Sequence, residues 1–416
     1  MPKNHRTKLF SMMVLQFFIW GAWLPLIFGY LPSLGFTSGE QSWILNAFPI
    51  AAVVGMFFSN RFADTTFAAE KFLAFSHLVG GLAMVGLGFT QSFWPFLVLM
   101  YVHCLLYVPT ISITNSIAFT HLEDAQRDFG IVRMGGTVGW ILAAWPLYFI
   151  LGGLPKEELL DGQRMVFLLS GVAAFVLAGF SMTLPHTPPR PVAAGERLAW
   201  AKAAGFLKKP FIAVLFLVTF LDATIHNGYF VMTYPFLSGI GFDDGYIMPV
   251  MSLGQIAEVA TMAVLGLALK KMGWRVTMII GVLGHAARFA VFAFFHDHTT
   301  IVVAQVLHGI CYAFFFATVY IFIDVYFPKD VRTSAQGLFN LLILGLGDLA
   351  AKWLFVPLTE RYTGVDGKVD YQSLFLWPTG MALGAAVLLA VAFFPPAAAQ
   401  PGEVTAEEEA AVDAVV

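Results

Sequence analysis

The feature that most constrains this chain is a series of long apolar segments separated by short polar stretches. About 20 consecutive apolar residues are needed for a helix to cross a bilayer, and the sequence contains twelve such segments. They occupy residues 10–31, 41–60, 72–90, 94–118, 131–151, 165–184, 210–237, 246–269, 275–295, 299–324, 333–356 and 371–395. Because the bilayer interior offers no water to backbone groups, each segment is expected to be helical. The sequence therefore predicts an all-α membrane protein with twelve transmembrane helices.

The composition agrees with this class and argues against others. Charged residues make up 12% of the chain, against about 25% in a soluble domain. No basic patch with interleaved aromatic residues occurs, so nucleic acid is not an expected partner. The sequence shows no nucleophile–base pair, metal-ligand cluster or phosphate-binding loop, so we expect neither an enzyme nor a bound metal or cofactor. Cys104 and Cys311 both fall in apolar segments and are expected to be buried thiols.

The distribution of lysine and arginine predicts the orientation in the membrane. With the N-terminus inside, the inner segments carry sixteen basic residues and the outer loops only four. An excess of basic residues marks the cytoplasmic side. We therefore expect a multi-pass protein of the cell (inner) membrane with both termini in the cytoplasm.

The longest polar interruption divides the chain into two halves of six segments. It spans residues 185–209 and is rich in proline and basic residues. The predicted organisation is an N-terminal six-helix bundle (1–184), a cytoplasmic linker (185–209), a C-terminal six-helix bundle (210–395) and a tail (396–416). The tail is acidic and rich in alanine, a composition typical of disorder.

Basic loops recur at equivalent places in the two halves. Residues 61–71 follow the second segment and residues 270–275 follow the eighth, the second of its own half. Two six-helix halves with equivalent inner loops resemble the major facilitator superfamily. In that fold the halves are related by an axis along the membrane normal, and substrate binds near the midplane.

A carboxylate and an amide lie inside the eighth apolar segment. Gln255 and Glu258 are three residues apart, so on a helix they lie within about 60° of each other. Such groups in mid-membrane cost several kcal/mol unless they meet a partner or water. Glu258 can exchange a proton and Gln255 can donate and accept hydrogen bonds, which makes the pair a functional-site candidate. The alternative is that Glu258 only links two helices.

The seventh segment carries a polar stripe. Asp222, His226, Tyr229 and Thr233 recur at helical spacing, and Asn227 lies beside them. Two ionisable groups, a phenol and a hydroxyl on one face are not expected to face lipid. We therefore predict that this stripe lines water.

The first and fourth segments contribute aromatic and amide groups. Gln16 and Trp20 share one face, and Tyr107 and Asn115 lie in a polar run that contains Pro109. Aromatic rings with a polar group suit stacking on a flat ligand and hydrogen bonding to its edge. Helix packing is the alternative for both sets.

The fifth segment opens with an arginine. Arg133 and Thr137 share a face, and Gly135, Gly136 and Gly139 leave room for another helix. Arg133 either extends to the inner surface or is the fixed cation that pairs with Glu258.

Three further sites have structural interpretations. Asp324 is expected to pair with Arg332 at a helix end, although it is also a candidate for proton coupling. Asp348 and Lys352, four residues apart, can neutralise each other. Arg288 is expected to be structural in the shell of its bundle.

Taken together, these segments resemble the nucleoside:proton symporter family. The matching pieces are residues 15–23, 107–117, 131–139, 181–188, 255–258, 288–289 and 332–339. The resemblance implies inward transport of nucleosides with protons. It also implies that Arg133, Thr137, Asn227, Gln255 and Glu258 contact substrate. The family pattern has an amide where this chain has Thr224, so the preferred base, or the substrate class itself, stays open.

The predicted substrate site and the predicted proton path overlap. The candidates for substrate binding are Gln16, Trp20, Tyr107, Asn115, Arg133, Thr137, His226, Asn227, Tyr229, Gln255 and Glu258. The candidates for proton coupling are Glu258, Arg133, Asp222 and Asp324. The expected state is a monomer in the lipid bilayer, with nucleosides and protons as its partners. Two alternatives remain open, namely a porter for sugars or another small polar metabolite and a membrane sensor that does not transport.

Overall fold

The structure, a computed structural model, describes residues 3–55, 67–122, 125–189, 196–328 and 331–396. Its α-helices are α1 Lys3–Ser33, α2 Ser38–Leu45, α3 Ala47–Val54, α4 Ala69–Leu87, α5 Phe93–His121, α6 Ala125–Leu151, α7 Lys156–Ser181, α8 Glu196–Gly205, α9 Pro210–Gly239, α10 Asp244–Phe294, α11 His298–Ala304, α12 Val306–Cys311, α13 Thr318–Tyr326, α14 Arg332–Asn340, α15 Gly347–Arg361 and α16 Tyr371–Ala392. A 3₁₀ turn covers Phe206–Lys208, and π-helical turns cover Tyr312–Ala317 and Leu341–Leu346. The all-α prediction is confirmed.

Ten helical spans of the described chain are long and apolar enough to cross a membrane, when α11–α13 and α14–α15, each continuous through its π-helical turn, are counted as one span apiece. The longest, α10, has 51 residues and contains a break at Gly273, where φ is 71° and ψ is 178°. Because a left-handed φ of this size favours glycine, the chain turns there between the eighth and ninth predicted segments. The second predicted segment is described only as far as residue 55, as the short helices α2 and α3. The α10 helix thus accounts for two predicted crossings, and the second segment accounts for one that is not among the ten. Together these two cases explain the difference between ten long helical spans and twelve predicted crossings.

Local sequence signals explain several helix ends. The Thr37 side chain accepts a hydrogen bond from the backbone N–H of Glu40, and the Glu40 carboxylate accepts one from the backbone N–H of Thr37. This reciprocal capping starts α2 at Ser38. At the other end of the first half, α7 begins at Lys156 and extends into the predicted outer loop. The acidic residues Glu157 and Glu158 in its first turn suit a helix N-terminus.

The chain packs as two compact units. The first comprises Met1–Val192, Asn227–Gln255 and Asp348–Tyr371, and the second comprises Ala193–His226, Ile256–Gly347 and Gln372–Val416. Their limits fall inside α9 and α10 and before Asp348, near the start of α15. The predicted division into bundles 1–184 and 210–395 is one of topology and stays a prediction.

Some predicted segments differ from, or lie outside, what the structure describes. The predicted linker 185–209 contains the helix Glu196–Gly205. Residues 56–66, which include the first six residues of the basic loop 61–71, lie outside the described residues. Residues 397–416 of the predicted tail also lie outside them.

Glycines bring α1 and α6 together in the first unit. A Cβ added at Gly135 would lie 2.7 Å from the carbonyl oxygen of Phe10, and one at Gly139 would lie 2.1 Å from that of Val14. Two glycines four residues apart therefore form the surface on which the α1 backbone rests. The prediction that these glycines admit another helix is confirmed.

Candidate functional site

The predicted amide and carboxylate lie one turn apart on α10. Gln255 is buried and Glu258 is half-buried. Within the second unit, a Cβ at Gly309 of α12 would lie 2.3 Å from the backbone nitrogen of Glu258 and 2.4 Å from the carbonyl carbon of Ala257. Only a residue without a side chain permits this approach. The contact therefore fixes the backbone that carries Glu258.

The predicted polar stripe lies along α9. Asp222, Tyr229 and Thr233 are fully buried, whereas His226 and Asn227 are half-buried. Asp222 and His226 belong to the second unit, and the other three belong to the first. The half-buried residues, His226 and Asn227, are adjacent and lie at the middle of the stripe. That the whole stripe lines water stays a prediction.

Two side chains near the start of this stripe, Thr224 and Asp222, differ in their hydrogen bonding. The hydroxyl of Thr224 donates to the carbonyl oxygen of Phe220 at 2.9 Å, so it is used within its own helix. Neither carboxylate oxygen of Asp222 has a hydrogen-bond partner among the described residues. His226 and Asp222, one helical turn apart, therefore form no hydrogen bond with each other.

Asp222 and His226 instead belong to a cluster of ionisable side chains in the second unit. We call it the Arg288 cluster, and its members are Asp222, His226, His285, Arg288 and His308. Arg288 is fully buried, with its Nη1 2.7 Å from Nδ1 of His308 and its Nη2 3.1 Å from Nδ1 of His285. Nε2 of His285 lies 3.6 Å from Oδ2 of Asp222. No group of three His, Cys, Asp or Glu side chains in the described part of the chain is placed to hold a metal ion.

The ring of His226 lies close to both histidine and aromatic rings. Its ring centroid is 5.0 Å from that of His308 and 5.7 Å from that of His285. The ring centroids of Phe316 and Tyr312 lie 5.1 Å and 5.9 Å from that of His226. Both aromatic residues come from the π-helical turn, a feature that is frequent at functional sites.

In the first unit, Gln16 and Tyr107 form a buried network. The amide nitrogen of Gln16 donates to the hydroxyl of Thr110 at 2.8 Å, and its amide oxygen is 2.9 Å from Nε2 of His77. The Tyr107 hydroxyl donates to the carbonyl oxygen of Gln16 at 2.6 Å. The structure thus brings two predicted site residues together and pairs their polar groups inside the protein. Their contact with substrate stays a prediction.

Aromatic rings surround Trp20 in the same unit. Its ring stacks on Phe48 with centroids 4.6 Å apart and meets Trp140 edge to face at 5.2 Å. The indole N–H of Trp20 and the amide oxygen of Asn115 are buried, and neither has a hydrogen-bond partner within the described ranges. An unpaired donor and an unpaired acceptor are suited to a polar ligand, because leaving them unmatched is unfavourable.

Arg133 is held by an aromatic ring and a glycine. Its guanidinium carbon lies 4.2 Å from the ring centroid of Phe17. A Cβ at Gly136 would lie 2.5 Å from Nη1 of Arg133 and 2.8 Å from Cδ2 of Phe17. The neighbouring Thr137 is half-buried. Arg133 belongs to the first unit and Glu258 to the second, so the predicted pairing of these two stays a prediction.

Two predicted ion pairs are confirmed. Asp324 lies 3.1 Å from Nη1 of Arg332 and is 57% exposed, as expected for a charge at a helix end. Nζ of Lys352 donates to Oδ2 of Asp348 at 2.6 Å, and both side chains are buried. The role of Asp324 in proton coupling stays a prediction.

The interpretation of Arg288 as a structural residue in the shell of its bundle did not include its histidine partners. His285 and His308 lie in the ninth and tenth apolar segments, and both are buried. The available signal was the same one used for Glu258, namely an ionisable side chain within an apolar span. His77, which pairs with Gln16, was missed in the same way.

Comparison with known proteins gives a consistent result. The sequence model described as the nucleoside H+ symporter family matches residues 3–398. YegT of Escherichia coli (strain K12) is 30% identical over 391 residues, which cover 92% of this chain and 91% of YegT. The xanthosine permease of the same organism is 28% identical over 408 residues, covering 93% of this chain and 94% of the permease.

The fold also matches a solved structure. The crystal structure of the nucleoside transporter NupG superposes with a TM-score of 0.82 at 22% identity, covering 94% of this chain and 100% of that one. The chain therefore has the same fold as that transporter.

Proposed function

Because the chain belongs to the nucleoside H+ symporter family, we propose that it imports nucleosides across the inner membrane together with protons by alternating access. The observation that carries the proposal is the pair of Gln255 and Glu258 on α10. A donor–acceptor amide and a carboxylate, one turn apart in an apolar helix, supply a ligand contact and a proton-exchanging group side by side. The excess of basic residues in inner loops supports cytoplasmic termini.

The substrate contacts we propose come from several helices. Arg133 and Thr137 on α6, Asn227 on α9 and Gln255 on α10 supply the polar groups. Trp20, with its ring near Trp140 and its unpaired indole N–H, supplies a surface for a flat base. This combination of stacking surface and amides suits a nucleoside or a sugar, and the family match favours the nucleoside. Gln16, Tyr107, Asn115, His226 and Tyr229 complete the proposed site.

Hydrogen bonds inside the first unit link residues of the first half to α9, α10 and the loop between them. The hydroxyls of Tyr148 and Tyr246 are 3.3 Å apart, and the Gly153 backbone N–H donates to the Asp243 carboxylate at 3.3 Å. The Gln163 amide donates to the Tyr234 hydroxyl at 2.8 Å. These bonds join the end of α6, the loop after it and α7 to the end of α9, the start of α10 and the loop between α9 and α10. Alternating access requires that such bonds break when the outer side opens.

Uptake into proteoliposomes tests the proposed function. Purified protein should accumulate radiolabelled uridine or adenosine when an inward proton gradient is imposed, and only equilibrate it without the gradient. Uptake of sugars but not nucleosides would support the alternative of a porter for sugars or another small polar metabolite. Binding of nucleoside without any uptake would support the sensor.

Replacing Gln255 or Asn227 by alanine is expected to weaken nucleoside binding. Each lost hydrogen-bond partner leaves a polar group unmatched in a dry site, which corresponds to about 1–3 kcal/mol. Calorimetric titration of the purified variants with uridine and adenosine measures the effect. Gln372→Ala is the control, since this amide is exposed on α16. Wild-type affinity in both alanine variants would remove these residues from the site.

Replacing His226 by glutamine is expected to change the preferred nucleoside or the pH profile of uptake. The imidazole lies beside Tyr312 and Phe316 and is half-buried, and it is the side chain whose charge changes most readily near neutral pH. The exposed His298→Gln variant is the control. A variant with lower thermal stability but unchanged selectivity and pH profile would show that His226 only stabilises the helix.

Replacing Gly136 by alanine is expected to lower nucleoside affinity about tenfold, or about 1.4 kcal/mol. The added methyl group would occupy the space of the Arg133 guanidinium and the Phe17 ring, so Arg133 must move. Binding affinity is compared with that of Gly179→Ala, because a Cβ at Gly179 meets nothing within 4 Å. Equal affinities in the two variants would contradict a role for the position of Arg133.

A further inference from the structure

The Arg288 guanidinium determines the protonation pattern of two histidines. Arginine can only donate hydrogen bonds, and Arg288 contacts His308 and His285 through Nδ1 of each ring, at 2.7 and 3.1 Å. Both Nδ1 atoms must therefore be acceptors. Each imidazole is then neutral and carries its hydrogen on Nε2. The Nε2–H of His285 is thereby directed at the Asp222 carboxylate, 3.6 Å away.

Asp222 is enclosed but not fixed by hydrogen bonds. Its side chain is fully buried, and neither carboxylate oxygen has a hydrogen-bond partner within the part of the chain that the structure describes. A buried carboxylate that serves only as a structural counter-ion is normally held by direct hydrogen bonds from its partner. Here an imidazole stands between the carboxylate and the guanidinium.

The buried pair in α15 shows the contrasting arrangement. Asp348 accepts a hydrogen bond of 2.6 Å from Lys352, so adding a proton to Asp348 would disrupt a short charge-assisted bond. Adding a proton to Asp222 breaks no such bond. Between Asp222 and Asp348, Asp222 is therefore the one whose protonation breaks no hydrogen bond.

The other ionisable groups around Asp222 come from its own helix and from neighbouring helices. Among those helices is α15, which carries the Asp348–Lys352 pair and packs against the adjacent Ala223, since a Cβ at Gly347 would lie 2.5 Å from the Cβ of Ala223. His226 is on α9, His285 and Arg288 are on α10, and His308 and Cys311 are on α12. Tyr312 lies on the π-helical turn beside His226. Of these, Arg288 carries the permanent positive charge, and Asp222 is the carboxylate that opposes it. When Asp222 is ionised the pair is neutral, and when it is protonated the cluster carries one positive charge.

We propose that Asp222, held beside His285 by Arg288, is a proton-binding site of this transporter, separate from Glu258. The proton adds to a carboxylate oxygen of Asp222 to give the acid and leaves from the same oxygen on release. His285, Arg288 and His308 keep their own protons throughout and act as positioning residues. The resulting change in charge inside an apolar unit biases its packing. The link to transport rests on the proposed function, but proton binding itself does not.

Infrared difference spectroscopy on the purified, lipid-reconstituted protein tests this site without any substrate. Spectra taken across a pH titration should contain a carbonyl stretching band of a protonated carboxyl group that Asp222→Asn removes. Asp348→Asn should leave this band in place. Glu258→Gln identifies any carbonyl band that belongs to Glu258, because that band is lost in this variant and the Asp222 band is not. An unchanged band in Asp222→Asn would overturn the proposal.

A second variant keeps the test decisive if Asp222→Asn does not fold. His285→Gln retains a side chain that hydrogen-bonds Arg288 but replaces the imidazole beside Asp222. The pH midpoint of the Asp222 band should move by about one pH unit. A midpoint equal to that of the wild type would overturn the proposal. Failure of nucleoside uptake would contradict the proposed function and would leave these spectra unaffected, so the two outcomes are distinguishable.

Discussion

Replacing Glu258 by glutamine is expected to abolish the accumulation of nucleosides against a gradient. Glutamine keeps the size of the side chain and its capacity for hydrogen bonds but cannot exchange a proton. Glu258 lies in an apolar helix, on a backbone held against Gly309, so its position should survive the substitution. Uptake in the presence of an inward proton gradient should fall to the level reached at equilibrium, while exchange of nucleoside across the membrane continues.

The comparison for this experiment is Glu360→Gln, an exposed carboxylate on α15. This variant should accumulate nucleosides as the wild type does. Undiminished accumulation in Glu258→Gln would remove Glu258 from the coupling mechanism. It would leave Asp222 as the remaining buried carboxylate among the proposed proton-coupling residues.

Replacing Gly309 by alanine is expected to be the most damaging single-methyl change in the second unit. The added Cβ would lie 2.3 Å from the backbone nitrogen of Glu258 and 2.4 Å from the carbonyl carbon of Ala257. Backbone atoms cannot rotate away as a side chain does, so α12 and α10 must separate. Overpacking of this kind costs about 1–3 kcal/mol, and it also displaces Glu258.

Thermal unfolding and proton-driven uptake measured on the same preparation separate the two effects. Gly309→Ala should lower both, whereas Gly266→Ala on α10 should lower neither, because a Cβ there meets nothing within 4 Å. Normal stability with normal uptake in Gly309→Ala would contradict the close contact between α12 and the Glu258 backbone.

The sequence predicts the fold well because the bilayer leaves few choices. A run of about 20 apolar residues in a membrane must satisfy its backbone internally, so length and hydropathy alone indicate helices. Boundaries were less predictable where other signals act. Lys156 begins α7 inside a predicted loop, and the α10 helix continues past Lys270 to a break at Gly273. In both places polar residues sit at a helix end, which hydropathy does not detect.

The candidate site was predictable only where its members share one helix. The spacing of Gln255 and Glu258 is enough to place them on one face. The Arg288 cluster joins Asp222, His285 and His308 from three apolar segments, and no periodicity within one segment connects them. The close contact at Gly309 depends likewise on how two helices cross. Side chains that meet through tertiary packing require the structure.

The pH inside proteoliposomes, measured while nucleoside enters them, tests the central claim most directly. The proteoliposomes have a weakly buffered lumen that contains a pH-sensitive dye. Uridine or adenosine is added to the outside solution, and no proton gradient is imposed. Symport predicts that the lumen acidifies as nucleoside enters, that the acidification requires wild-type protein, and that Glu258→Gln prevents it. Entry of nucleoside with an unchanged luminal pH would contradict proton coupling.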